Sequence, residues 1–220
     1  MASTDNIALL ILAWTLYAIL HSLLASLTVK RAIHRLNPRF TPFYRIGFNL
    51  LATILLIPPI WLTYQGDSPM LWQWLGIGFW LTTLTALAAI ALFIFSLRFY
   101  DSSEFFGFRQ AREKRSDIED QETFRISPLH RIVRHPWYSL GLVLIWTRDM
   151  NAELLTSAIC ITLYFVIGSK IEEKKLCLYH GNAYHRYKSK VPGLVPLPWR
   201  ILSQDEAKAL EQEGRRQSTR

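Results

Sequence analysis

The sequence predicts an all-α, polytopic membrane bundle of about five transmembrane helices. Three observations carry this expectation. Half of the 220 residues are apolar, and they are gathered in long blocks. Charged residues are almost absent from those blocks. Finally, 24 of the 25 Lys and Arg residues lie in or beside the first loop, in the third loop or in the tail, leaving Arg148 alone on the other side.

The first block, 7–28, carries no Lys or Arg ahead of it and exceeds a secretory apolar region, so it is expected to be a true span. His21 lies deep in it and is read as a neutral imidazole bonded across a helix interface. The second block, 44–64, contains Pro58-Pro59 near its outer end, where a kink is expected because proline removes a backbone donor. The third, 71–97, is also long enough for the roughly 20 residues that a bilayer core requires. Two shorter blocks, 136–147 and 154–169, are joined by the polar turn Arg148–Glu153 and read as a short helical hairpin. Its two crossings return the chain to the side it left.

The charge asymmetry places the N-terminus outside and the first loop, third loop and C-terminus in the cytoplasm. The net charge of +8 is therefore explained by membrane boundaries, and no nucleic-acid partner is needed. In the third loop, the mixed-charge run Arg112–Glu122 is expected to be solvated. Asp101–Gln110 mixes aromatics with Arg109, as an interfacial segment does. Beyond the last span, 170–199 forms a helical extension with a stop at Gly181 and a second short helix capped by Asn182. Residues 204–220 are polar and expected to be flexible. Cys160 and Cys177 offer neither a disulfide framework nor a metal-type pair.

Chemistry concentrates where a polar loop enters the hairpin, in the stretch RHPWYSLG. Pro136 suits the first turn of a helix, so Arg134 and His135 stand at an electropositive helix entrance. Tyr138 falls in that first turn, and Gly141 permits close approach by a neighbour. The returning arm brings Glu172 and Glu173 to the same membrane edge, and the extension adds Tyr184, His185 and Tyr187. Cations, two carboxylates and aromatic faces, partly shielded from water, match S-adenosylmethionine. The corner suits its carboxylate, a glutamate its amine or ribose, and aromatic faces its adenine and sulfonium. Transfer of its methyl group to an anionic nucleophile removes charge and is favoured where water is excluded. The candidates for deprotonating an acceptor are His135 and His185. No metal is expected: His130 and His135, like His180 and His185, are five apart and do not share a helix face.

These residues also carry a resemblance. RHPWYSLG followed by IEEKKLCLYHGNAYHRYKSKVPGLVP resembles the isoprenylcysteine carboxyl methyltransferase superfamily of integral membrane methyltransferases. HSLLAS, PFYRIGFNLLA and FFGFRQ look like its NnrU and methanethiol S-methyltransferase branch. The resemblance implies a cofactor pocket of Arg134, His135, Pro136, Tyr138, Glu172 and Glu173, closed by Tyr184 and Tyr187. Its acceptor would be a small or lipophilic thiol or carboxylate. Leu178 departs from the pattern, standing where some carboxyl methyltransferases place a basic residue. Two other readings share parts of the pattern. One is a non-catalytic NnrU-like membrane protein in a nitrogen-oxide or redox pathway. The other is an NADPH-dependent sterol-type reductase, which should bring additional basic residues for the 2′-phosphate.

Overall fold

The computed structural model describes residues 4–115 and 124–218. The Arg112–Glu122 run falls largely outside them. The fold is an all-α membrane bundle, with one two-stranded ribbon among the described residues. Among the described residues, four helices are long and apolar enough to cross a membrane. The chain divides into two compact units, the first from Met1–Leu75, Tyr100–Asp120 and Arg148–Ile161, the second from Gly76–Phe99, Gln121–Thr147 and Thr162–Arg220.

In the first unit, α1 (Thr4–Ala25) is apolar on all sides, as a lipid-immersed helix is. It stops short of the expected residue 28. The Ser26 hydroxyl accepts the Val29 amide at 3.3 Å and starts α2 (Leu27–Leu36), an amphipathic helix bearing Lys30, Arg31 and Arg35. His21 sits between the rings of Tyr17 and Phe48, with centroids 5.5 and 5.1 Å away. The next long helix, α3 (Tyr44–Gln65), continues through Pro58 and Pro59, and Thr63 Oγ1 donates to the Pro59 carbonyl at 2.7 Å.

The expected span at 71–97 begins later than its hydropathy indicates. Met70–Trp72 is β1, which pairs antiparallel with β2 (Met150–Asn151). The pairing replaces the simple polar turn expected at Arg148–Glu153. Behind it, Glu153 is buried and accepts the Ser68 hydroxyl, while Ser157 meets Trp14 Nε1 at 2.9 Å and Thr63 Oγ1 at 2.6 Å. Gly66 lies so close to Glu153 that a side chain there would collide with it. The short helices α5 (Ser102–Phe106) and α6 (Phe108–Arg112) meet at Gly107, whose φ of 89° favours glycine. A Cβ there would also lie 2.9 Å from Arg45 and Ile46.

In the second unit, Gly76, at φ 54°, precedes α4 (Ile77–Ser96). Ser96 is buried and accepts Trp137 Nε1 at 2.8 Å, which ties α4 to α7 (Pro136–Trp146). With 11 residues, α7 extends about 16 Å, well short of a hydrocarbon core of about 30 Å. Its partner α8 (Ala152–Lys190) is instead much longer than the expected 154–169. The expected pair of short crossings is therefore one short apolar helix beside one long helix. Gly181, at φ 49° and ψ −130°, interrupts α8 where the stop was expected, and the helix resumes without a loop.

The C-terminal extension has its own core. Phe124, Ile126, Tyr184, Tyr187, Leu202, Ala207 and Leu210 are buried together. The last three belong to or adjoin a helix where a flexible tail was expected, α9 (Gln204–Ser218). Ser203 and Glu206 form a reciprocal cap: Glu206 N donates to Ser203 Oγ at 3.2 Å and Ser203 N to Glu206 Oε2 at 3.1 Å. Arg186–Glu213 at 2.7 Å and Ile126 N to Glu211 Oε1 at 2.6 Å fasten α9 to the extension.

Candidate active site

The candidate residues lie within the second unit, where the start of α7 meets α8. Arg134 and His135 immediately precede Pro136, and Glu172 and Glu173 are consecutive residues of α8. Consecutive helical residues point about 100° apart. Only one carboxylate can therefore face inward, and that one is Glu173. Its side chain is 6% exposed, against 48% for Glu172.

Glu173 is saturated with cationic donors. Oε1 receives Arg134 Nε at 2.7 Å and Nη2 at 2.6 Å, and lies 3.2 Å from His135 Nε2. Oε2 is 3.0 Å from Lys188 Nζ. The remaining Arg134 nitrogen, Nη1, donates to the carbonyls of Lys188, at 3.1 Å, and Val191. Such a planar, multidentate pairing uses the fixed fork of the guanidinium.

Glu172 has looser contacts. Its Oε2 is 3.5 Å from His135 Nδ1 and 3.4 Å from the Tyr138 hydroxyl. His135 thus has a carboxylate on each ring nitrogen. Burial alone would lower its pKa, but hydrogen bonding and charge from Glu172 and Glu173 outweigh burial and raise it. His130 moves the other way. Burial, helped by repulsion from His135 and opposed by Glu172, lowers it to about 4.

The aromatic groups form a stack rather than an open platform. The Tyr138 ring lies parallel to that of His135, with centroids 5.5 Å apart, and to that of Phe165, at 4.6 Å. The Tyr138 hydroxyl is directed at Glu172. Gly141 matters for this stack, since a Cβ there would lie 3.2 Å from the Phe165 ring.

Tyr184 is close enough to Glu173, Arg134 and Glu172 to feel their charges. Tyr184 and Tyr187 are buried in the core of the extension with Phe124, and the Tyr187 hydroxyl donates to the His130 carbonyl at 2.7 Å. His185, next in sequence to Tyr184, is exposed. The structure thus brings together Arg134, His135, Tyr138, Glu172 and Glu173, with Gly141 behind them. It adds Lys188 and Phe165, which sequence reasoning did not single out. Phe165 precedes Glu172 by seven residues, two helical turns, and that spacing was a usable signal. Lys188 carried no comparable signal, because the turn at Gly181 sets its direction.

Curated relatives agree on one activity. The chain is 30% identical to a methanethiol S-methyltransferase of Pseudomonas deceptionensis, over 84% of this chain and 71% of the relative. It is 31% identical to methanethiol S-methyltransferase 2 of Bradyrhizobium diazoefficiens, with the same shares covered. A third relative, from Pseudomonas sp. strain GM41(2012) and of the same name, is 32% identical, over 83% of this chain and 70% of its own. No family model and no solved structure matches the chain.

Proposed function

The chain belongs to the methanethiol S-methyltransferase family, within the isoprenylcysteine carboxyl methyltransferase-like membrane methyltransferases, and from that membership we propose that it methylates a small thiol with S-adenosylmethionine at the Arg134–Glu173 corner. The observation that carries the reading is the division of labour between the two glutamates. Glu173 is fully engaged in fixing Arg134, His135 and Lys188. Glu172 is half-exposed and keeps acceptor capacity toward a ligand.

The donor set suits this cofactor in its charges. Glu172 would accept from its amine or ribose, with the Tyr138 hydroxyl beside it. Lys188, half-exposed, would face its carboxylate. When bound, S-adenosylmethionine supplies an electrophilic methyl group. The chain's part is to orient that group, exclude water and hold a thiol in line with it. The thiol proton is left to Glu172 or solvent. Pro136 completes the site by setting the direction of α7, and Tyr184 stands within reach of the charges on Glu173 and Arg134. An inner-membrane location with the corner facing the cytoplasm, where this cofactor is made, is part of the same proposal.

A sterol-type reductase is disfavoured because the curated relatives are named as methyltransferases.

The test is calorimetric titration of S-adenosylmethionine into the purified protein, followed by transfer of labelled methyl to a short-chain thiol. Binding should weaken about ten- to a hundredfold in Glu172→Gln, the loss of one hydrogen bond to a charged group. Absence of cofactor binding to the wild-type protein would end the proposal. Label entering only lipid or carboxylate pools would leave the cofactor and replace the acceptor.

A further inference from the structure

Between Lys190 and α9 the chain runs from Val191 to Leu202 without regular helix or strand, yet its backbone is hooked at both ends. Near its start, the Pro192 carbonyl accepts the Arg134 amide at 2.8 Å and the Gly193 carbonyl accepts the His135 amide at 3.2 Å. The Leu194 carbonyl accepts the Ser139 hydroxyl at 2.6 Å. At its far end, Leu202 N donates to the Arg131 carbonyl at 2.9 Å, and Arg131 Nε returns a bond to the Leu202 carbonyl at 2.8 Å. Gly193 is pressed against the Arg134 guanidinium, with room for a Cβ only at 3.3 Å. The segment is a strap, and its inner edge is bonded to the residues that open α7.

Its outer edge is apolar and uncovered. Trp199 is 78% exposed, Val195 68% and Ile201 53%. Isolated exposed apolar groups are ordinary, but here three project from one short strap beside the first turn of an apolar helix. Arg200 follows Trp199 directly. Its guanidinium holds the carbonyls of Lys190, at 3.2 Å, and Ser189, and has no carboxylate partner among the described residues. A Trp beside an uncompensated Arg, where an apolar helix begins, has the composition of a lipid–water interface. The positive charge complements anionic headgroups.

We propose that the strap's outer edge is a bilayer-contacting surface. Val195, Trp199 and Ile201 seat at the headgroup–acyl boundary, and Arg200 faces anionic phosphates. Because the inner edge of the same strap holds the backbone of Arg134 and His135, lipid contact steadies the entrance to the candidate site. The inference does not depend on the identity of the methyl acceptor.

Nitroxide accessibility tests it. In a Cys160→Ser, Cys177→Ser background, single labels are placed at Trp199→Cys, at Val195→Cys and at Lys208→Cys on the exposed face of α9. The full chain is reconstituted in phosphatidylcholine–phosphatidylglycerol vesicles. The labels at 199 and 195 should collide several-fold more with dissolved oxygen than with a water-soluble nickel chelate, and the label at 208 should show the reverse. The proposal is overturned if 199 and 195 behave like 208. It is equally overturned if they are shielded from both reagents, which would mean that a protein, such as a second copy, covers them. Oxygen preference at only one of the two labels also counts against a single inserted edge. Where one labelled variant does not fold, the other decides.

Discussion

Replacing Glu173 by Gln keeps the size of the side chain and removes one negative charge from a place that water scarcely reaches. Arg134 loses its carboxylate at 2.6–2.7 Å, His135 one of its two and Lys188 its partner at 3.0 Å. The Arg134 side chain is 11% exposed, so hydration cannot replace the lost partner. Removing one member of a buried ion pair costs about 3–5 kcal/mol, mostly as the penalty of a stranded charge. Lys188 is half-exposed and recovers hydration, which puts the expectation near the lower end, about 3 kcal/mol. At about 2–4 °C per kcal/mol for a chain of this size, the unfolding midpoint should fall by about 6–12 °C.

The control is its neighbour. Glu172 is half-exposed, and its contacts at 3.4 and 3.5 Å are long, so Glu172→Gln should change stability by no more than about 0.5 kcal/mol. Thermal unfolding of both variants in one detergent, without cofactor, makes the comparison. The combined Arg134→Gln, Glu173→Gln variant should lose less than the sum of the two single changes, because it strands no charge between those partners. If Glu172→Gln and Glu173→Gln unfold at the same temperature, the assignment of Glu173 as the inner, fixing carboxylate is wrong.

Two histidines give opposite pH signatures. The raised His135 contributes stability that is complete below its unfolded value of 6.5 and is lost as pH rises through its folded value. The depressed His130 contributes stability that is complete above 6.5 and is lost as pH falls toward about 4, worth about 3 kcal/mol. Their joint contribution therefore peaks near pH 6.5, and imidazole NMR titration should resolve one histidine on each side of that value. Tyr187→Phe deletes the bond to the His130 carbonyl and should cost about 1 kcal/mol in thermal unfolding. Ser203→Ala removes the cap of α9 and should likewise cost about 1 kcal/mol, with faster amide exchange confined to 204–218 at first.

The spans were legible because hydropathy alone selects them, and the errors fall where local chemistry overrides it. Leu27 and Thr28 belong hydropathically to the first span, yet the Ser26 cap turns them into the start of an amphipathic helix. Met70–Trp72 is apolar and joins a strand, because Gly76 at φ 54° delays the helix. The tail was misjudged on its mean polarity. The Ser203-Gln-Asp-Glu206 spacing is a capping box, and Ala207 and Leu210, three apart, form the face that packs on Phe124 and Tyr184. Tyr184 and Tyr187 share a face, as their spacing dictates, but spacing does not say which way that face points. It points into the extension's core, and exposed His185 is carried outward as the consequence.

The adjacent glutamates show what sequence can and cannot assign. A Glu-Glu pair on a helix must split, with one side chain turned in and the other turned aside, because 100° separates them. Which of the two turns inward is decided by where the cations lie, and here they come from two separate stretches, the loop before α7 and the last turns of α8, the first of them held by the backbone of the strap. Lys188 reaches Glu173 only because Gly181 redirects α8. The inner carboxylate thus gathers the distant parts of the second unit. The outer one is left with an incomplete shell of partners, as a group that must exchange its contacts with a ligand has to be.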